Sequence, residues 1–177
     1  MSNVNTSNQA KSSITERDIK ALLTDNLSDL RRYAYSLTNN THDADDLLQS
    51  VIERILNKSI PSDVQPLAWI YRVCRNLWID ELRKRKIRQV PIGYEDHDIE
   101  DSSIDSRPSK QIYQFELKKA IDELAEPYRA VVNLVIIAGL SYAEAAESLN
   151  IPEGTVMSRV ARARQQLHTR LGSNELH

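Results

Sequence analysis

The chain of 177 residues predicts an all-α fold: two small helical domains joined by a linker, the C-terminal one ending in a helix-turn-helix. Three observations carry that expectation. Only four glycines and one phenylalanine are present, too few for a strand-and-turn architecture. Leu, Ile, Val and Ala recur at three- and four-residue intervals, the period of an amphipathic helix. Between residues 88 and 110 that period is lost, as at a domain boundary.

In chain order, the polar start MSNVNTSNQAKSS lacks a signal-peptide core and reads as a disordered tail. Ile19, Leu22, Leu23, Leu27, Leu30, Ala34 and Leu37 then trace one amphipathic helix ending near Asn39 and Asn40. Thr41 is placed to cap the next helix, which opens with Asp43, Asp45 and Asp46, as the macrodipole favours. Ala44, Leu47, Leu48, Val51 and Ile55 form its core side. Asp46, Gln49 and Glu53 share its outer side. His42 and the three aspartates are not a metal-site expectation, because consecutive helical residues diverge and dipole compensation accounts for the acids.

A loop over 58–65 contains Pro61. Pro66 suits the first turn of a long helix through LAWIYRVCRNLWIDELRKRK. Ile70, Val73 and Leu77 mark its buried side, with Trp69, Cys74 and Trp78 expected to pack. Arg72, Asn76 and Arg83 lie near one outer line, with Arg75 and Lys84 beside it. Residues 88–110 contain Pro91, Gly93 and Pro108 and read as an interdomain linker. A helix from about residue 111 offers Ile112, Phe115, Ala120, Ile121 and Leu124 to a second core. Pro127 opens the next helix, whose AVVNLVII run is apolar enough to sit centrally. Gly139 stops it.

The stretch LSYAEAAESLNIPEGTVMSRVARARQQL is the most informative. Ser141 and Glu144 have the spacing of a capping box. Ala145, Ala146 and Leu149 give a thin apolar face that admits a close neighbour. Asn150 tolerates the left-handed turn, and Pro152 and Glu153 suit a new helix start. In that helix Val156, Val160, Ala163 and Leu167 form one stripe, opposed by Thr155, Ser158, Arg159 and Arg162. From Met157 to Gly172 there are four arginines and no acid. A solvated basic hairpin would share the charge. Cap, small-residue face, turn and cationic side together have the layout of a DNA-recognition helix.

Charge distribution points the same way. The net charge is −2, yet residues 69–90 hold seven basic side chains against Asp80 and Glu81, and residues 91–108 hold six acids against Arg107. Two separated basic blocks suggest two contacts with a polyanion. Cys74 is the sole cysteine, which excludes a disulfide framework or a cysteine metal site and makes a reducing interior the default. No apolar run reaches membrane-spanning length, so membrane insertion is not expected. His42, His97, His168 and His177 are scattered, and no carboxylate–histidine cluster supports an enzyme. Neither a cofactor nor a catalytic residue is expected.

In order, DADDLLQSVIERIL, PLAWIYRVCRNLWIDELRKRK and the 140–167 stretch resemble the signature segments of bacterial RNA polymerase sigma factors. The class they are most similar to is the two-domain, sigma-70-like extracytoplasmic-function (ECF) class. The resemblance implies a region 2-like domain over 14–90, an acidic flexible linker over 91–110, and a region 4-like helix-turn-helix domain over 111–172. It further implies a cytoplasmic factor that binds core RNA polymerase through the beta-prime clamp helices and beta flap, and directs initiation at promoter DNA. An anti-sigma factor is an implied partner. Asp46, Gln49 and Glu53 correspond to the polymerase-binding helix. Lys58, Ser59, Asp63, Arg72, Arg75, Asn76, Arg83 and Lys84 correspond to the minus-ten surface. Tyr142, Thr155, Ser158, Arg159 and Arg162 correspond to the minus-thirty-five surface. Ser50, Met157 and Asn150 stand where the family usually has Glu, Lys and Gly. Other readings are a sigma-like adaptor that sequesters an anti-sigma factor and a repressor with one helix-turn-helix. The first would not need these arginines, and the second leaves the first domain unexplained.

Overall fold

The structure, a computed structural model, describes residues 15–58, 60–88 and 108–172. The expected N-terminal tail and residues 91–107 of the expected linker lie outside the described residues. Thr15 caps α1 (Glu16–Asp25): its hydroxyl accepts from the Asp18 N–H at 3.2 Å, and the Asp18 carboxylate accepts from the Thr15 N–H at 3.0 Å. The single first helix expected over Ile19–Leu37 is two. It breaks at Asn26, whose side-chain amide donates to the Leu22 carbonyl at 2.8 Å and competes with the helix ladder. α2 (Leu27–Thr38) follows, and the break leaves Leu27 in solvent rather than in the core.

Asn39 adopts the left-handed conformation at φ 52°, and Asn40, not Thr41, caps α3 (Thr41–Asn57). The cap lies one residue early because Asn40 holds the extended backbone a cap requires, and its Oδ1 accepts from the Asp43 N–H at 3.0 Å. Ala44, Leu47, Val51 and Ile55 are buried as expected, and Leu48 is half-buried.

α4 (Pro66–Arg88) is flanked by α2, α3 and α7 (Tyr142–Leu149). Three neighbours demand a wide apolar arc. The enclosed residues are therefore Ala68, Ile70, Tyr71, Cys74 and Trp78, while the expected Val73 and Leu77 are only half-buried. Tyr71 meets Tyr33 edge-on, with ring centroids 5.0 Å apart.

α5 (Pro108–Asp122) begins inside the stretch assigned to the linker, three residues before the expected start. Ala120 and Leu124 are buried, but Phe115 is 56 % exposed and does not join the core. α6 (Glu126–Val132) passes into a π-helical segment, Asn133–Ile137, in which the Ala138 N–H donates to the Asn133 carbonyl at 2.9 Å. Gly139 ends it at φ 71°, a conformation that suits glycine. α7 and α8 (Glu153–Gly172) close the chain.

The main hydrophobic core runs across both halves. It joins Leu30, Tyr33, Val51, Ile55 and Ile70 to Val131, Leu134, Val156 and Val160. Burial of each such side chain stabilises the fold by about 1.5–3 kcal/mol before entropy is charged. A smaller cluster of Ala120, Leu124, Val132, Ala163 and Leu167 fastens α5 to α8.

Candidate nucleic-acid interface

The helix-turn-helix is built by local chemistry. The Ser141 hydroxyl accepts from the Glu144 N–H at 3.2 Å, and the Glu144 carboxylate accepts from the Ser141 N–H at 2.8 Å. Ala145 and Ala146 are buried, and α7 lies against α8. Asn150 turns the chain at φ 54°, ψ 50°. The Pro152 carbonyl then accepts from the Thr155 and Val156 N–H groups and starts α8.

In α8 the stripe Val156, Val160, Ala163 and Leu167 is buried, as its spacing predicts. Ser158 and Arg162 face solvent, and Thr155 and Arg159 are half-buried on one flank. The Ser158 hydroxyl donates to the Thr155 carbonyl at 3.0 Å. Arg159, Arg162 and Arg164 make no hydrogen bond or ion pair with any described residue. Their charge is uncommitted, at a helix whose N-terminus already attracts anions. Met157 is 54 % exposed in the same turns. Tyr142 is half-buried, packed against the main core instead of projecting with the arginines.

On α3, Asp46, Gln49 and Glu53 are all exposed on one face, as their spacing predicts. The Gln49 amide donates to the Glu53 carboxylate at 2.9 Å, and the Ser50 hydroxyl donates to the Asp46 carbonyl at 2.9 Å. The neighbouring acids are divided between two arginines. Asp45 pairs with Arg31 at 2.8 Å, and that hydrogen bond holds its carboxyl below the usual range. Asp43 pairs with Arg85 at 2.6 Å.

The residues expected to form the minus-ten surface fall into two groups. Asn76, Arg83 and Lys84 on α4 are exposed, as are Lys58 and Asp63 in the preceding loop. Arg83 has only a long contact to Asp80, 3.3 Å. Ser59 lies outside the described residues. Arg72 and Arg75 are not on an outer line. They are half-buried against the second half of the chain. Arg72 donates to the Glu147 carbonyl and, at 3.3 Å, to the Ser148 carbonyl; Arg75 pairs with Glu126 at 2.7 Å. The side of α4 that carries them is the side on which α7 packs, which a helical period alone does not disclose. Arg85, part of the same basic run, is committed to Asp43 and Glu81 and lies over the Trp78 ring. Cys74 is enclosed, and burial pushes its thiol up to about 12.

Comparison with known proteins matches two segments of the chain to family models. Residues 22–87 match the family model Sigma-70 region 2, and residues 114–167 match Sigma-70, region 4. Among curated relatives, the ECF RNA polymerase sigma factor SigE of Mycolicibacterium smegmatis is 36% identical over 81% of this chain, which spans 57% of that relative's length. SigM of Bacillus subtilis, also an ECF sigma factor, is 32% identical, with 80% of this chain and 87% of the relative covered. Among solved structures, the sigma factor RpoE in complex with the anti-sigma factor NepR from Bartonella quintana superposes with a TM-score of 0.68 at 29% identity. That match covers 88% of this chain and 98% of the other. CnrH, solved in complex with the cytosolic domain of CnrY, shares the fold at a TM-score of 0.66 and 22% identity, with 90% of each chain covered.

Proposed function

Since the chain belongs to the ECF class of sigma-70-like RNA polymerase sigma factors, we propose that it binds core RNA polymerase and directs transcription initiation by reading two promoter elements with two separate surfaces. Members of this family regulate transcription. The finer assignment is to a region 2-like domain over 14–90 and a region 4-like domain over 111–172. In the first, the α3 face of Asp46, Gln49 and Glu53 meets the polymerase. An acidic face is repelled by phosphate and suits a protein partner. Asn76, Arg83, Lys84 and the 58–65 loop meet the opened minus-ten strand, with Arg72 and Arg75 joining once freed. In the second, Thr155, Ser158, Arg159 and Arg162 meet the minus-thirty-five element, and Tyr142 supports them.

The observation that carries this reading is the uncommitted cationic face of α8. Arg31, Arg75, Arg85 and Arg170 all spend their charge on carboxylates of the chain, whereas Arg159 and Arg162 pair with no carboxylate among the described residues. Arginine there can take guanine bidentately in the major groove or neutralise phosphate. The polymerase performs the chemistry, so the reading needs no cofactor or metal. An anti-sigma factor is the proposed regulatory partner, supported by the solved relative that was captured with one. Among the described residues no helix is long and apolar enough to cross a membrane, and a cytoplasmic site of action fits the partners. The test is reconstitution. Purified protein added to bacterial core polymerase should direct specific initiation from a genomic promoter library. Binding to core enzyme without specific initiation would favour the adaptor reading, and DNA binding without core enzyme the repressor reading.

A further inference from the structure

We propose that Met157 is a specificity-determining residue, which with Ala161 takes up the 5-methyl group of a thymine in the minus-thirty-five element. This rests on the reading of α8 as the helix that enters that element. Met157 is the one large hydrophobic side chain left exposed among the described residues of α8, at 54 %. It belongs to neither hydrophobic cluster. A single exposed hydrophobe is ordinary on a protein surface; its place on this helix is not. At 100° per residue, Met157 stands about 90° and Ala161 about 130° round from the middle of the buried Val156–Leu167 stripe. Arg159, Thr155 and Arg162 stand about 70°, 110° and 130° round in the opposite sense, and Ser158 lies between the two flanks. Cationic and hydrogen-bonding groups thus fall on one flank of the outer face and apolar groups on the other.

The apolar flank is open to a base edge. Met157 and Ala161, four residues apart and both exposed, adjoin on the helix surface. Gly154, three residues before Met157, carries no side chain, and a Cβ there would meet nothing within 4 Å. Close approach beside Met157 is therefore unobstructed, in the N-terminal turns that enter the groove. Arg164, exposed one turn beyond Ala161, places a cation for phosphate at the rim of the same flank. The chemistry selects the ligand. Among the groups that base edges present in the major groove, the thymine methyl is the apolar one. Neither side chain has a donor for guanine, whereas the unbranched thioether adapts its shape to a small apolar group. Enclosing one methyl group is worth roughly fourfold in affinity.

The test uses holoenzyme of the full chain and a promoter on which it initiates, with uracil replacing each minus-thirty-five thymine of either strand in turn. That exchange removes the methyl group and leaves the donors and acceptors of the base pair in place. At one thymine the wild type should lose roughly three- to fivefold in affinity. Met157→Gln holoenzyme should bind the thymine and uracil promoters alike, and Met157→Leu should keep the preference. Circular dichroism should show unaltered helices in both variants, because the side chain is exposed. An undiminished methyl preference in Met157→Gln, or no preference in the wild type at any position, overturns the proposal. In either case the Arg159→Ala, Arg162→Ala holoenzyme separates the levels. Weaker promoter binding by it retains α8 as the reading helix, and unchanged binding shows that this reading has failed as well.

Discussion

Arg85 holds Asp43 through both terminal guanidinium nitrogens, at 2.8 and 2.6 Å, and so ties the end of α4 to the start of α3. The pair is about one-fifth exposed, and Arg85 also reaches Glu81 at 3.0 Å. Charge-assisted bonds of this kind contribute about 1–2 kcal/mol when partly screened. Arg85→Met should lower the Tm by a few degrees while leaving the salt dependence of promoter binding unchanged. Arg83→Ala with Lys84→Ala should do the opposite: an unaltered melting curve and a salt slope flatter by about one to two phosphate contacts. Thermal melts and salt titrations of the two variants check the contrast.

The α3 face gives a second prediction. Asp46 and Gln49 are exposed, and neither bridges to another helix. Asp46→Ala with Gln49→Ala should therefore weaken affinity for core polymerase without changing helical content. Competition against an unmodified sigma factor measures it, and undiminished affinity would remove these residues from the interface.

For α8 the expected outcomes differ in kind. Arg159 lies nearer the N-terminus, the end that enters the groove, so Arg159→Ala should cost about 1–3 kcal/mol only on promoters carrying the contacted base. Arg162→Ala should weaken all promoters alike and flatten the salt slope. A panel of single-base minus-thirty-five variants distinguishes them. Sequence-dependent loss for Arg162→Ala and uniform loss for Arg159→Ala would reverse the roles.

Acid should act through Asp45. Its carboxyl is held below its ordinary value of 3.8 by the hydrogen bond from Arg31. A depressed folded-state value stabilises the fold above the unfolded-state value and loses that contribution as pH falls through the folded one. Both partners are about half exposed, so the contribution is only a few tenths of a kcal/mol. Arg31→Met should lower stability slightly at pH 7 and by progressively less below about pH 4. Urea melts across pH 2.5–7 should show the curves of variant and wild type converging in acid, and a gap that persists at the lowest pH would refute the account.

The helix-turn-helix was legible in the sequence because its determinants are local. The Ser141–Glu144 cap, the left-handed Asn150 and the Val156–Leu167 stripe all act within a few residues of one another. Arg72, Arg75 and Arg85 were less legible for the complementary reason. Their partners lie 75, 51 and 42 positions away, so a basic run looks uniform until the fold sorts it into structural and free charges. The acidic α3 face was readable from spacing, since no other element among the described residues covers it. Phe115 was misplaced because hydrophobic character argues for burial without saying whether a neighbour is there to provide it. The break at Asn26 carried a signal, an amide able to compete for a helical carbonyl, but apolar periodicity continued across it and concealed it.

The π turn at Asn133–Ile137 has a consequence for what the chain can tolerate in its length. Each bond of this kind encloses one residue more than an α turn, so everything after it is rotated by about 100° from the path an α-helix would follow. Just before and at its start the helix is enclosed by both hydrophobic clusters, so that Val131 to Leu134 are all buried, and the rotation sets the azimuth at which Gly139 releases the chain into α7. Substituting the exposed Ile136 leaves the winding intact. Deleting it removes the extra residue, allows the ladder to relax to α geometry, and swings α7 and α8 around the axis away from α4. At this point the molecule depends on residue count more than on residue identity.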